Sequence, residues 1–189
     1  MSPFPLIDLF YPHDTRLKQL LLRHSAQVRD KALIILDRAP AGAPEVDREA
    51  AATAAMLHDI GIFRCHAHSI GCNGPEPYLA HGAIGALLLR TVGRETGRDL
   101  EVFARVCERH TGAGITAADV RAQNLPLPLE DFVPETPLEK LVCLADKFFS
   151  KSGDLREKPF AAAQRSVAKF GPESAARFQE MCTLFGVFA

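Results

Sequence analysis

The sequence predicts an all-α fold in one domain. Apolar residues recur at intervals of three and four along most of the chain, which is the spacing of one face of a helix. Proline and glycine mark the segments between these patterns, and no stretch shows the alternation of a half-buried strand. A chain of 189 residues is also long enough to bury a real hydrophobic core.

In the first third of the chain, three helices are expected. Leu17, Leu20 and Leu21 share a face of a helix over about 14–23. We expect a boundary at His24 and a second helix from there to about residue 38. A third helix begins near residue 45 and ends at the pair 58–59, because Gly61 is a typical stop.

The remaining helices follow from similar signals. Residues 62–77 read as a polar loop, and helices are expected over about 78–91 and 99–110. Thr116 and Asp119 have the spacing of a helix cap, and Thr136-Pro137 with Glu139 is a stronger capping box. A Pro-rich run over 125–134 separates these two helix starts. The last two helices are expected over about 159–170 and 172–184.

Composition narrows the classes of partner. The formal net charge is −1, so we expect no nucleic-acid or membrane partner. The longest apolar runs are far too short to span a bilayer, and the first residues lack a signal-peptide pattern. The five cysteines are an odd number without paired spacing, which favours reduced thiols and a cytoplasmic location.

The most informative pair of residues is His58-Asp59. An apolar stretch leads directly into an imidazole and a carboxylate, and such groups beside a core need partners. Four residues of matching type lie in separate segments: His24, His81, His110 and Asp146. This donor set suits Fe, Mn, Zn or Co rather than Ca. Asp59 can serve one cluster with its neighbour if it lies between two ions about 3.5–4 Å apart.

These residues carry a resemblance to a known family. The elements are His24, His58-Asp59-Ile60-Gly61, His81-Gly82, His110-Thr111-Gly112 and Leu144-Ala145-Asp146-Lys147. In this order they resemble the HD-domain superfamily of metal-dependent phosphohydrolases, in its His-Asp-Ile-Gly subgroup. The matching stretch covers about two-thirds of the chain. The resemblance implies a single HD-type helical domain over residues 1–189, with a metal-site core at about 15–152 and C-terminal helices at about 158–185.

The resemblance also implies a ligand set. In the simplest members, the residues matched here by His24, His58, Asp59 and Asp146 hold one ion. Members with two extra histidines, matched by His81 and His110, hold two ions bridged by the aspartate, so a binuclear site is expected. The alternative is that these two histidines hydrogen-bond to a substrate or to a ligand carboxylate. The chain departs from HD-type dinucleoside tetraphosphate hydrolases at 61–64 and in the longer segment 112–136.

The expected reaction is hydrolysis of a small phosphorylated substrate, of which a nucleotide is one candidate. A metal-bound water or hydroxide would attack phosphorus while nearby cations stabilise charge. Catalytic roles are expected for Asp59 and Lys147, and substrate binding for Arg64, Lys147 and His66. The alternative interpretation is that Arg64 and Lys147 are ordinary surface cations and that His66 is an exposed loop residue.

Two other functions stay open from the residues alone. Some HD-domain oxygenases use the same six-ligand arrangement with two irons, and ligand identity does not separate them from hydrolases. The third hypothesis is that the protein is a binding module that senses a nucleotide without turning it over. The presence of all six ligands argues against it, since a sensor need not keep an open metal position.

Overall fold

The computed structural model describes residues 1–153 and 155–188. Within them the chain is mostly helical, as the sequence predicts. The helices are α1 (Phe4–Phe10), α2 (Arg16–Arg38), α3 (Arg48–Leu57), α4 (His81–Thr96), α5 (Glu101–Arg109), α6 (Ala117–Ala122), α7 (Pro137–Asp146), α8 (Phe160–Ala168) and α9 (Pro172–Phe185).

The expected boundary at His24 is wrong. Arg16–Arg38 forms one continuous helix, with Thr15 as its N-cap accepting a hydrogen bond from the Lys18 backbone N–H. No proline or glycine interrupts this segment, so nothing ends the helix at its midpoint. His24 therefore lies on the buried face of a long helix, and the rigid backbone on both sides fixes its position.

Helix α1 was not expected from the sequence. Pro3 and Pro5 suggest a loop, but proline is tolerated in the first turn of a helix, where its missing N–H needs no partner. Leu6 and Ile7 of this helix are buried in the core.

The expectation that segment 62–77 is wholly a loop is wrong. Three short strands form a small sheet in the order β2-β1-β3: β1 (Cys65–Ala67), β2 (Cys72–Asn73) and β3 (Glu76–Pro77). β1 pairs antiparallel with β2 and parallel with β3. Strands of two or three residues are too short to show alternation in a sequence, which is why the pattern gave no sign of them.

Both expected capping boxes are present. The Thr116 hydroxyl accepts from the Asp119 backbone N–H, and the Asp119 carboxylate accepts from the Thr116 backbone N–H. Thr136 and Glu139 form the same reciprocal pair at the start of α7. Glu139 is buried, and its carboxylate also binds the Arg105 guanidinium at 2.7 Å. The second box therefore fixes both the start of α7 and its contact with α5.

One hydrophobic core draws residues from every helix except α6. Within it α4 packs on α5, α2 packs on α3 and α7, and α8 packs on α9. Among the described residues, no helix has the length and apolar character needed to cross a bilayer. The five cysteines are all buried and unpaired.

Replacing Thr136 with alanine tests the cap of α7. The change removes the acceptor of the Glu139 N–H, so we expect the free energy of unfolding to fall by about 1 kcal/mol in urea denaturation. Thr183→Ala is the matched control, because Thr183 is an exposed residue inside α9. It should leave stability nearly unchanged or slightly raised. Equal effects of both substitutions would contradict the assignment of the cap.

Candidate metal centre

Five helices bring the six expected ligands to one place. His24 lies in the middle of α2, and Asp146 is the last residue of α7. The other four lie at helix ends: His58 caps α3 and Asp59 follows it, His81 begins α4, and His110 caps α5. All six are buried, with exposures of 9% or less.

Asp59 is the geometric centre of the cluster, because its two carboxylate oxygens face different groups. Oδ2 lies 3.2 Å from His24 Nε2 and 3.1 Å from His58 Nε2. Oδ1 lies 3.3 Å from His81 Nε2 and 3.4 Å from His110 Nε2. The carboxylate therefore divides the histidines into two pairs.

Asp146 completes the first of these groups. Its Oδ1 lies 3.0 Å from His24 Nε2 and 3.5 Å from His58 Nε2. In the second group, His81 Nε2 and His110 Nε2 lie 3.1 Å apart. Two overlapping sets of three potential ligand atoms result, one of His24, His58 and Asp146 and one of His58, Asp59 and His110.

Three of the imidazoles are oriented by their own backbone. His58 Nδ1 lies 2.7 Å from the Ala55 carbonyl oxygen, and His110 Nδ1 lies 2.7 Å from that of Cys107. His81 Nδ1 is 2.6 Å from the Tyr78 carbonyl oxygen. A carbonyl only accepts, so each Nδ1 carries a proton and donates it. In the neutral ring, Nε2 then keeps its lone pair for a metal.

The chemistry of the donor set fits a divalent metal. His58 Nε2 and both Asp59 oxygens are buried and form no hydrogen bond of acceptable geometry with any described residue. They lie 3–3.5 Å from neighbouring ligand atoms, so they surround a shared point without bonding to one another. One of these atoms, Asp59 Oδ2, forms an ion pair with the Lys151 ammonium 2.6 Å away. Leaving the others unpaired in a core is costly, and a cation coordinated by them removes that cost.

The charges of the cluster shift its pKa values in opposite directions. Burial disfavours the charged form of His58, but the Asp59 and Asp146 carboxylates outweigh it and raise its pKa to about 9. Burial dominates at His110 and lowers its pKa to about 4. Burial also opposes ionisation of Asp59, but the charges of His58 and Lys151 hold its pKa well below its usual value.

Two lysines adjoin the cluster, and only one was expected. The Lys147 ammonium lies 2.8 Å from Asp146 Oδ2 and donates to the His110 carbonyl oxygen at 3.0 Å. Lys151 was missed, yet its Nζ lies 2.6 Å from Asp59 Oδ2. Lys151 follows the end of α7 by five residues, outside any motif. The occurrence of two lysines, Lys147 and Lys151, within five residues after Asp146 is the one sequence signal that could have indicated it.

The structure does not bring Arg64 and His66 to the cluster. Arg64 is exposed and lines a groove between α1 and α4, together with Leu9 and Leu87. His66 is exposed on β1, where its ring packs edge-on against that of His68 with centroids 4.2 Å apart. Within the described chain, no hydrogen bond or ion pair joins either side chain to the six residues.

Glycines explain how the helix ends approach so closely. A Cβ atom at Gly61 would lie 2.3 Å from the His81 carbonyl oxygen, and one at Gly82 would lie 2.4 Å from that of Cys107. Real side chains never come this near to backbone. Gly61 therefore lets the turn after Asp59 touch the start of α4, and Gly82 lets α4 touch α5. These two contacts place His81 and His110 beside Asp59.

Comparison with known families agrees with this geometry. The model of the family described as "HD domain" matches residues 21–150, which include all six residues of the cluster. The chain belongs to the HD-domain family. No solved structure matches the chain at a significant level.

The similarity of this HD-domain protein to its curated relatives covers only part of each relative. It is 37% identical over 131 residues to a tRNA (cytidine(56)-2'-O)-methyltransferase of Picrophilus torridus, covering 69% of the chain and 32% of that enzyme. A methyltransferase of the same name from Thermoplasma volcanium is 31% identical over 152 residues, covering 80% of the chain and 37% of that enzyme. An uncharacterised protein of Methanocaldococcus jannaschii is 39% identical over 102 residues, covering 54% of the chain and 50% of that protein. The chain thus spans about a third to a half of these relatives.

Replacing Gly82 with alanine tests the close packing of α4 on α5. The new methyl group would meet the Cys107 carbonyl oxygen, so the helices must move apart. We expect the free energy of unfolding to fall by about 3 kcal/mol in urea denaturation.

Gly97→Ala is the control for backbone strain alone. Gly97 has a φ of +69° but open space around its Cα. Its substitution should lower stability by about 1 kcal/mol. A smaller loss for Gly82→Ala than for Gly97→Ala would contradict the packing argument.

Proposed function

We propose that this HD-domain protein is a metal-dependent phosphohydrolase acting on a nucleotide or another small phosphoester. The observation that carries the proposal is the division of the cluster by Asp59, whose oxygens face two separate pairs of histidines. A carboxylate with this arrangement can bridge two cations, which is the design of two-metal hydrolytic sites.

The ligands of the proposed centre divide into two sets. His24, His58 and Asp146 would hold one divalent ion, His81 and His110 would hold the other, and Asp59 would bridge them. Fe, Mn, Zn and Co all suit these imidazole and carboxylate donors. Bound there, such ions lower the pKa of water and neutralise charge on a phosphoryl group. The protonated Nδ1 atoms keep the imidazoles aimed at this centre.

The chain itself supplies positive charge beside the centre. The half-buried Lys151 ammonium lies against Asp59, and the charge of that carboxylate outweighs desolvation and raises the pKa of Lys151. A charged lysine here stabilises negative charge that develops on a phosphoryl oxygen. Lys147 is held between Asp146 and the His110 carbonyl, so it orients a ligand and adds a second positive charge.

The same two lysines favour a hydrolase over a di-iron oxygenase. The ligand set alone suits either chemistry, but the ammonium groups of buried Lys147 and half-buried Lys151 beside it suit an anionic phosphoester. Methyl transfer is named only for relatives of which the chain covers about a third. The matched HD segment contains the metal cluster, so we propose the chemistry of that cluster for this chain.

A phosphate-release assay tests the proposed function. The protein is loaded with Mn, Fe or Co and offered nucleoside mono-, di- and cyclic phosphates and sugar phosphates. Phosphate release and oxygen uptake are recorded in parallel, and chromatography detects the monoester formed when a cyclic phosphate ring is opened. Hydrolysis that depends on the metal, seen by either readout, supports the proposal. Oxygen uptake without hydrolysis would identify an oxygenase, and the absence of both would indicate a binding module.

Substitution of Asp59 tests the bridge. Asp59→Asn removes the charge shared by both groups, so we expect the metal content to fall from two ions per chain to fewer than one by elemental analysis. Asp37→Asn is the control, because Asp37 is an exposed partner of Arg48 at the surface. Retention of two ions in Asp59→Asn would break the bridging model.

Substitution of the lysines tests their role in turnover. Lys151→Ala should lower kcat about a hundredfold at unchanged metal content, because it removes a charge beside the phosphoryl group. We expect a similar loss for Lys147→Ala. Lys140→Ala serves as the control, because Lys140 lines a cavity beside Arg177 whose walls include none of the six clustered residues. Loss of metal from Lys147→Ala would limit that lysine to orienting Asp146.

A further inference from the structure

The groove beside Arg64 runs between the end of α1 and one face of α4. We call it the α4 groove, and its volume is about 540 Å³. Leu9 and Phe10 of α1 form one wall. The residues that α4 contributes have the spacing of a single helical stripe: Ile84, Leu87, Leu88, Thr91, Val92 and Glu95. The groove therefore follows α4 for about three turns.

Helix α4 already packs on α5 through its opposite face. A Cβ atom at Gly82 would lie 2.4 Å from the Cys107 carbonyl oxygen, and one at Gly85 would lie 3.3 Å from the Cys107 Cβ. At 3.6 residues per turn, these glycines lie on the side of the helix away from the stripe. In the groove, by contrast, Leu87 and Leu9 keep 60% and 58% of their surfaces exposed. An exposed apolar patch with charges at its rim is typical of a surface that binds another protein.

The charged side chains at the rim of the α4 groove are unpaired. Arg64, Glu76 and Glu95 line it, and none of them forms an ion pair or a side-chain hydrogen bond with another described residue. Arg90 of the same helix, which does not line the groove, pairs with Glu101 at 2.8 Å. The rim therefore offers charges of both signs to a partner.

These charges lie at different ends of the groove. Gly61, three residues before Arg64, contacts the start of α4, because its Cβ would lie 2.6 Å from the Gly85 nitrogen. The turn between them, Ile62–Arg64, advances only about 6 Å, so Arg64 stays near that end of the helix. Glu76 shares this end, since its strand pairs with the strand that directly follows Arg64. Glu95 lies ten residues beyond Gly85, about 15 Å further along the axis.

We infer that the α4 groove binds the same groove of a second copy of this chain, in a symmetric dimer with antiparallel α4 helices. A twofold axis at the middle of the stripe brings the Arg64 end of one groove to the Glu95 end of the other, so two opposite-charge pairs form. A parallel arrangement would instead place the two Glu95 carboxylates together. Leu87 lies near the axis, where the apolar stripes of both copies cover it. The dimer is independent of the proposed function, and it gives Arg64 a role away from the metal centre.

The mass of the protein in solution is the first test. Sedimentation velocity and light scattering are recorded for the whole chain in the presence of manganese, from micromolar concentration upward. We expect twice the mass of one chain, in an equilibrium that shifts toward the monomer on dilution. The mass of a single chain at every concentration up to millimolar would leave the groove to a different partner and overturn the inference.

Substitution of Leu87 locates the interface. Leu87→Lys places two charges near the axis of the dimer, so we expect the Kd of dimerisation to rise about a hundredfold. Leu87 is exposed in the single chain, so circular dichroism and the unfolding midpoint should not change. Leu129→Lys is the matched control, because Leu129 is 53% exposed and does not line the groove. An unchanged Kd in Leu87→Lys would place the interface elsewhere and overturn the inference.

Charge reversal tests the antiparallel arrangement. Arg64→Glu and Glu95→Arg each create two like-charge pairs in the dimer, so each should raise the Kd about tenfold. The double variant exchanges the two signs and should return the Kd close to that of the natural chain. Glu130→Arg makes the same change of charge outside the groove and should have no effect. A double variant as weak as either single variant would overturn the antiparallel pairing.

Discussion

The buried carboxylate of Asp59 is the constraint on which the arrangement of the centre depends. Among the described residues it accepts no hydrogen bond of good geometry, so its charge is balanced by the Lys151 ammonium 2.6 Å from Oδ2 and by the imidazoles around it. Each oxygen faces a different pair of histidines, and those histidines come from helices far apart in the chain. The packing of α2, α3, α4, α5 and α7 is therefore also the assembly of a polar cluster inside an apolar core.

The core tolerates this cluster because its polar atoms are satisfied from two sides. The Nδ1 atoms of three histidines bond to backbone carbonyls, and a lysine ammonium lies beside one oxygen each of Asp59 and Asp146. The remaining imidazole and carboxylate lone pairs point toward the centre of the cluster. Unpaired lone pairs are rare in globular interiors, and several of them at one point indicate a ligand site.

The sequence predicted most of the helices because local capping and stop signals mark their ends. The capping box of Thr136 and Glu139 marks the start of a helix within four residues, and Gly61 marks the end of another. It failed where the signal was absent or misleading. The polar pair at His24-Ser25 suggested a break, but a helix without proline or glycine simply continues, and prolines near residue 4 hid α1.

The cluster was predictable to a different degree. The six residues stand out because imidazoles and carboxylates in apolar segments need partners, and the family resemblance supplied their order. Lys151 had no such local signal. It lies five residues after the end of α7, and only the three-dimensional structure shows its Nζ beside Asp59.

The bonds from three imidazoles to carbonyls three residues earlier have a consequence for assembly. Each ring is oriented by a hydrogen bond within its own helical turn, so local backbone sets the direction of its lone pair before distant helices pack together. Packing of the helices then only has to bring these oriented imidazoles together. A cation bound among them would link five helices, so metal binding would increase the stability of the whole core against unfolding.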